Sequence, residues 1–194
     1  MTMLKYVVLL GACISLAFSV LYCKDVIKAK VKPNKVTWLM WSVAPLIATV
    51  AALSKGVTWA VVPVFMAGFS PLLIFISSFI NKKAYWKITR PDLSCGVLSC
   101  VALMIWYLTK NADYAIVFSI LSDGLAALPT IIKSWKHPET ENIFPYLGGL
   151  LSSCTVFFAI TTWNFASLAF PVYVICVDAV ILLMLLGRKP ASRA

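Results

Sequence analysis

Seven apolar stretches make up most of this chain. A helix needs about 20 residues to cross the hydrocarbon core of a bilayer, and the stretches predict helices at about 3–23, 37–54, 58–80, 93–109, 114–134, 143–161 and 165–187. Hydrophobic residues are 61% of the chain and charged residues 12%, against about 45–50% and about 25% in soluble domains. A soluble monomer is therefore excluded, and the predicted fold class is an all-α polytopic membrane protein with seven transmembrane helices.

An internal duplication relates the first three stretches to the last three. Tyr6 opens one apolar run and Tyr114 opens another 108 residues later. Val-Pro-Val-Phe at 62–65 recurs as Phe-Pro-Val-Tyr at 170–173 with the same offset. Other matches have an offset of 105, so the repeat contains a three-residue gap. Transporters are often built from two such repeats around a central site.

The order of the stretches predicts how the two repeats are arranged. Repeat 1 covers about 3–80 and repeat 2 about 114–187, with a linker helix at about 93–109 between them. One helix between two three-helix units gives both units the same polarity, which predicts parallel repeats in a single membrane domain, a 3+1+3 layout. The first stretch is predicted to remain as a helix, because the repeat requires it and only Lys5 precedes it as a basic leader.

Basic residues are concentrated on one side of the predicted membrane. Fourteen of the 17 Lys and Arg residues lie in the first, third and fifth connections and at the C-terminus, against Lys5, Lys55 and Lys110 on the other side. The positive-inside rule then places the N-terminus outside and the C-terminus in the cytoplasm. The net charge of +10 is spread over short loops. This distribution suits a lipid bilayer with anionic headgroups and argues against nucleic-acid binding.

No cofactor, metal site or catalytic residue is expected. The six Cys lie in or beside apolar runs without a Cys-x-x-Cys pair, where small packing residues are the ordinary role. An enzyme acting at the membrane surface would need a cluster of His, acid or metal ligands. Only His137, Glu139 and Glu141 share a loop, so the chain is predicted not to be an enzyme.

Two acidic residues, Asp123 and Asp178, lie inside predicted helices. A carboxylate at the bilayer centre costs about 2.5–3.5 kcal/mol on insertion scales, so both are expected to face one central cavity. At the offset of 108, Asp123 corresponds to Ser15 and Asp178 to Ser70. The four are the predicted substrate- or proton-binding residues, with the serines as hydrogen-bond partners. The alternative for each Asp is a structural hydrogen bond to a neighbouring helix.

The segment 128–142 resembles the PQ-loop motif, in which a Pro-Gln pair near a helix end precedes an apolar pair, a basic loop and a polar cluster. Pro129 matches the motif proline, and Thr130 stands where the family has Gln. The chain is thus similar to the PQ-loop/SWEET-like transporters, and the likeness implies parallel three-helix repeats. It also implies hinge prolines, for which Pro129 and Pro145 are candidates and Pro45 is a third. SWEET-like proteins bind substrate through the third helix of each repeat, close to Ser70 and Asp178.

Three aromatic residues form a candidate cavity wall. Trp38 and Trp41 open the second predicted helix at i, i+3 spacing, and Tyr146 matches Trp41 at an offset of 105. A stacking surface for a flat or sugar-like solute is one interpretation. Anchoring at the cytoplasmic interface is the alternative.

The sequence therefore predicts a transporter or facilitator of a small polar solute that works by alternating access. Two intramembrane carboxyls favour proton coupling or a cationic group on the solute. The alternative is a membrane protein of the same fold that does not transport, such as a trafficking receptor or a structural partner of a membrane complex.

Overall fold

A computed structural model describes residues 2–109 and 111–187, and no strand occurs in that part of the chain. The all-α prediction is confirmed. Its helices are α1 (Thr2–Ile27), α2 (Lys35–Ser54), α3 (Val61–Ser77), α4 (Arg90–Thr109), α5 (Ala112–Lys136), α6 (Phe144–Cys154), α7 (Val156–Ala159) and α8 (Phe165–Leu186), with a 3₁₀ turn at Pro138–Thr140. Lys110 and residues 188–194, which enter the predicted charge asymmetry and the position of the C-terminus, lie outside the described residues.

Five helices are long and apolar enough to cross a membrane. They are Lys5–Ile27, Lys35–Ser54, Arg90–Thr109, Asp113–Lys136 and Phe165–Leu186. The two other predicted spans are shorter apolar helices, at Val61–Ser77 and Phe144–Ala159. At about 1.5 Å per residue, α3 with its 17 residues is somewhat shorter than a typical hydrocarbon core of about 30 Å.

The sixth predicted span, 143–161, differs most from the structure. The helix is interrupted at Thr155 and ends at Ala159. Thr155 donates its hydroxyl to the Ser152 carbonyl at 2.6 Å and its backbone N–H to the same carbonyl at 3.0 Å. Side-chain bonds of this kind compete with the regular helical pattern. Hydropathy does not register that competition, so the sequence predicts one continuous helix.

Asparagine caps fix the starts of three helices. The side chains of Asn34, Asn111 and Asn164 accept backbone N–H groups from the first turns of α2, α5 and α8. An N-cap of this type satisfies donors that the helix itself leaves free. Helices α2 and α5 therefore begin two residues before the predicted starts at 37 and 114, because the cap precedes the apolar run that sets hydropathy.

Two groups of three helices, α1 to α3 and α5, α6 and α8, each contain one helix that contacts the other two. Helix α3 packs against α1 and α2, and α8 packs against α5 and α6. Between the groups, α1 lies on α6 and α2 lies on α5, while α4 packs on α5. Small residues allow the α1–α6 approach, since a Cβ on Gly148 would lie 3.1 Å from the Cα of Ser15. Such close contacts between helices are typical of membrane proteins.

Candidate functional site

One cavity lies where helices of the two groups meet. It offers about 60 Å³ to the centres of water-sized molecules, which is room for a few waters. Nine of the ten predicted site residues line it: Ser15, Ser70, Asp123, Asp178, Trp38, Trp41, Tyr146, Pro45 and Pro145. Pro129 is not among the lining residues. Residues that the sequence did not single out complete the lining: Ser19, Met66, Ala67, Pro71, Ile74, Gly149, Val174 and Val177.

The two carboxyls differ in their partners. Asp123 on α5 is 5% exposed, and its Oδ2 accepts the hydroxyl of Tyr173 at 2.8 Å. Asp178 on α8 is 8% exposed and makes no hydrogen bond or ion pair with another described residue. None of the described lining residues is Lys, Arg or His. Among the described residues, the cavity therefore holds two acidic side chains and no basic one.

A glycine makes room for Asp178. A Cβ placed on Gly149 would run into Oδ2 of Asp178. The carboxyl of α8 thus reaches across to the backbone of α6, and no larger residue fits at position 149 unless the Asp178 side chain moves.

The two serines at this cavity contact each other. Ser15 on α1 and Ser70 on α3 are buried, and their hydroxyls share a hydrogen bond of 3.3 Å. Asp123 and Asp178, the matching positions in the repeat, also lie on two adjacent helices. The sequence match therefore places a neutral hydroxyl pair and an acidic pair around the same cavity.

The aromatic residues form a buried wall. The rings of Trp38 and Trp41 meet edge to face at 5.1 Å between centroids, and Tyr146 lies 6.2 Å from Trp38. Trp41 donates its Nε1–H to the backbone carbonyl of Asp123 at 3.2 Å. The Nε1–H of Trp38 is buried without a partner among the described residues. All three rings are at most 6% exposed, whereas an anchor at the lipid interface keeps its polar edge in contact with water.

The candidate hinge prolines have different settings. Pro45 lies inside α2, where it removes a helical hydrogen bond. Pro145 lies in the first turn of α6, where the missing N–H interrupts no helical bond. Pro129 lies inside α5 and is not among the residues that line the cavity.

Two threonines form hydrogen bonds between α2 and the segment around Pro129. The hydroxyl of Thr37 donates to the carbonyl of Ala126 at 2.8 Å. The hydroxyl of Thr130, the residue that replaces the motif Gln, donates to the hydroxyl of Thr37 at 3.1 Å. A proline leaves a carbonyl of the preceding turn free, and these side chains bind backbone and hydroxyl groups in that region.

A second polar site, which the sequence did not indicate, lies at the end of the bundle that carries the basic loops. Nζ of Lys133 is 2.6 Å from Oε1 of Glu141, and the two side chains are 1% and 0% exposed. Oε2 of Glu141 accepts the hydroxyls of Tyr22 at 2.6 Å and of Tyr146 at 3.2 Å. Nζ of Lys133 also donates to the backbone carbonyl of Lys32. We call Lys133, Glu141, Tyr22 and Tyr146 the basic-end network.

The basic-end network has no clear sequence signal. In the sequence Lys133 is one of the basic residues of the fifth connection, and Glu141 shares its loop with His137 and Glu139; both fall in the segment 128–142 without a separate role. Burial comes from the surrounding elements, such as Trp86, whose ring lies 4.8 Å from Nζ of Lys133. Tyr146 belongs to both sites, because its ring lines the cavity while its hydroxyl binds Glu141.

No protein-family model matches the chain, and neither a curated protein nor a solved structure is significantly similar to it.

Proposed function

We propose that the chain is a transmembrane transporter or facilitator that moves a small polar solute by alternating access. The observation that carries this proposal is the cavity between the two helix groups, with the buried carboxyls of Asp123 and Asp178 and no basic residue among its described lining residues. Acidic groups buried among the helices of a membrane protein typically mark solute or proton pathways.

The proposal includes two parallel three-helix repeats joined by α4. Its support is that the helix contacts correspond when α1, α2 and α3 are exchanged for α5, α6 and α8. Under that exchange the α1–α3 contact becomes α5–α8, and α1–α6 becomes α5–α2. Four preceding helices give the second group the polarity of the first. An axis along the membrane normal is then the symmetry that fits.

In this mechanism the basic-end network closes one side of the cavity. Glu141 and Lys133 connect α5 to the connection before α6, and Tyr22 adds the end of α1. Opening this side would separate these groups or move them as a unit. Because Tyr146 contacts Glu141 and lines the cavity, a bound solute would influence the network directly. Rocking of one repeat against the other is the corresponding motion in repeat-built transporters.

The basic end is proposed to face the cytoplasm. The connection between α1 and α2 and the connection between α3 and α4 both lie at that end, and together they carry six of the fourteen lysines. Retention of such loops in the cytoplasm is the general rule, and it places the N-terminus outside.

Uptake into proteoliposomes tests the proposal. Purified protein would be reconstituted and supplied with labelled amino alcohols, amino acids and sugars, with and without a pH gradient. We expect at least one solute to enter faster than into protein-free liposomes. Asp178→Asn or Asp123→Asn should abolish accumulation driven by the gradient and leave exchange at equal pH. Asp113→Asn is the matched control, since this acid pairs with Lys55 at the surface, 3.1 Å away.

Two results would contradict the proposal in different ways. If no solute enters faster than into protein-free liposomes, the chain fits the alternative, a membrane protein of this fold that does not transport. If both Asn variants accumulate solute at the wild-type rate, transport stands and the two carboxyls are structural.

A further inference from the structure

We infer that the cavity binds a small primary ammonium compound, with its nitrogen at Asp178 and Asp123 and a hydrogen-bond acceptor a few atoms away. This compound would be the solute of the proposed transporter, and only its role as a transported solute rests on the proposed function. Binding itself can be measured without transport.

Charge is the first argument. Two carboxyls line one cavity at 5% and 8% exposure, and none of the described lining residues is basic. Burying an ionised carboxylate without a counter-ion is costly. An ionised carboxyl in this cavity therefore needs a bound cation that supplies the missing charge.

Hydrogen bonding is the second argument. Asp178 is more than nine-tenths buried, lines the cavity and has no partner in the described part of the chain. On Asp123, Tyr173 occupies Oδ2. Ionised carboxylates only accept hydrogen bonds, so the complementary ligand carries N–H donors. A primary ammonium has three of them.

The composition of the wall separates an organic cation from a metal ion. Hard metal cations take a shell of about six or more oxygens. Here the hydroxyls of Ser15 and Ser70 are bonded to each other, and most of the remaining wall is aliphatic or aromatic. Aromatic rings attract organic ammonium groups through their negative faces. Trp38, Trp41 and Tyr146 supply that surface.

The indole of Trp38 specifies the other end of the ligand. Its Nε1–H is buried and without a partner among the described residues, and the residue lines the cavity. A buried donor of this kind is costly to leave unpaired. This nitrogen has almost no accessible surface, so a hydroxyl or carbonyl oxygen on the ligand would accept its N–H once the indole turns toward the cavity. With about 60 Å³ available to water-sized centres, an amino alcohol the size of ethanolamine is a fitting probe.

Calorimetric titration of the intact protein in detergent tests the inference on the wild type alone. The probes are ethanolamine and propan-1-ol, which has the same heavy-atom chain without the charge, together with ethylammonium and sodium chloride. We expect ethanolamine to bind at least tenfold more tightly than propan-1-ol. Equal affinities, or sodium binding without ethanolamine binding, would overturn the inference.

Variants locate the two ends of the ligand. Asp178→Asn should weaken ethanolamine binding at least tenfold, and Asp113→Asn should leave it unchanged. Trp38→Phe should weaken ethanolamine binding more than ethylammonium binding, since ethylammonium has no oxygen for the indole. Unchanged binding in Asp178→Asn would overturn the assignment. If a variant does not elute as folded protein on size exclusion, the affinities of the wild-type protein for ethanolamine and propan-1-ol test the inference instead.

The result separates this inference from the proposed function. Ethanolamine binding without flux in proteoliposomes would support the ammonium site and reject transport. Flux of neutral solutes without ethanolamine binding would support transport and reject the ammonium site.

Discussion

The two polar sites of this protein differ in how many partners a buried carboxyl has. In the basic-end network, Glu141 has a lysine at 2.6 Å and two tyrosine hydroxyls, so its charge and its acceptors are matched. In the cavity, Asp123 has one tyrosine and Asp178 has no partner among the described residues. Buried polar groups are generally satisfied, and an exception calls for a physical explanation.

This difference suggests different roles for the two sites. A fully paired acid joins elements together, here the ends of α1 and α5 and the start of α6. An unpaired acid in a cavity keeps its acceptors available for a proton or a solute. A buried acid with more partners should therefore contribute more to the stability of the protein. A buried acid with fewer partners should contribute more to solute binding.

The largest effect on stability is expected at the basic-end network. Lys133→Met should lower the free energy of unfolding by about 3–5 kcal/mol, because it leaves the carboxylate of Glu141 buried without its counter-ion. Chemical unfolding of the purified protein in detergent micelles measures this loss.

The matched control is Lys55→Met. Lys55 forms the surface pair with Asp113, where the two side chains are 40% and 53% exposed. Exposed pairs contribute less than about 1 kcal/mol. Equal losses of unfolding free energy for the two Lys→Met variants would show that burial does not distinguish the two ion pairs. The stabilising role assigned to the basic-end network would then be wrong.

An intermediate effect is expected for the singly bonded carboxyl. Tyr173→Phe removes the hydroxyl that Asp123 accepts and should cost about 1 kcal/mol, within the range for hydrogen bonds between membrane helices. Asp123→Asn retains an acceptor for Tyr173 and should cost less. The same unfolding assay measures both variants. A loss for Tyr173→Phe as large as that for Lys133→Met would mean that a single bond stabilises as much as the whole network.

The residues that line the cavity stand out in the sequence more than those of the basic-end network, for a physical reason. An acid in an apolar run is conspicuous, and the repeat aligned Asp123 and Asp178 with two serines that line the same cavity. The length of an apolar run and the cost of a charge in lipid are local properties, so they can be read from one sequence. The apolar runs also located the helices, except that α3 is three residues shorter at each end than the predicted 58–80 and the sixth span is interrupted at Thr155.

Burial of a loop residue is not a local property. Glu141 lies among polar residues, and only the packing of α1, α5 and α6 around it removes it from water. The same holds for the prolines. The family resemblance made Pro145 a hinge candidate, yet its place in the first turn of α6 depends on where that helix starts. Pro129 lies inside a helix, α5, as a hinge would, but it does not line the cavity.

The smallest effect on stability is expected for Asp178→Asn, the variant that should most weaken ammonium binding. Asp178 has no hydrogen bond or ion pair to lose within the described residues, and Asn occupies nearly the same volume beside Gly149. The free energy of unfolding should therefore fall by less than about 0.5 kcal/mol, as for substitutions that break no specific interaction, and any change beyond that should be a gain, because Asn removes an unpaired buried acid. Unfolding in detergent micelles without added amine measures it. A loss of about 1 kcal/mol or more would instead favour a structural hydrogen bond from Asp178 to a neighbouring helix. An unchanged stability together with lost ethanolamine binding would place the function of this side chain in the cavity, because a purely structural acid cannot lose its partner without cost.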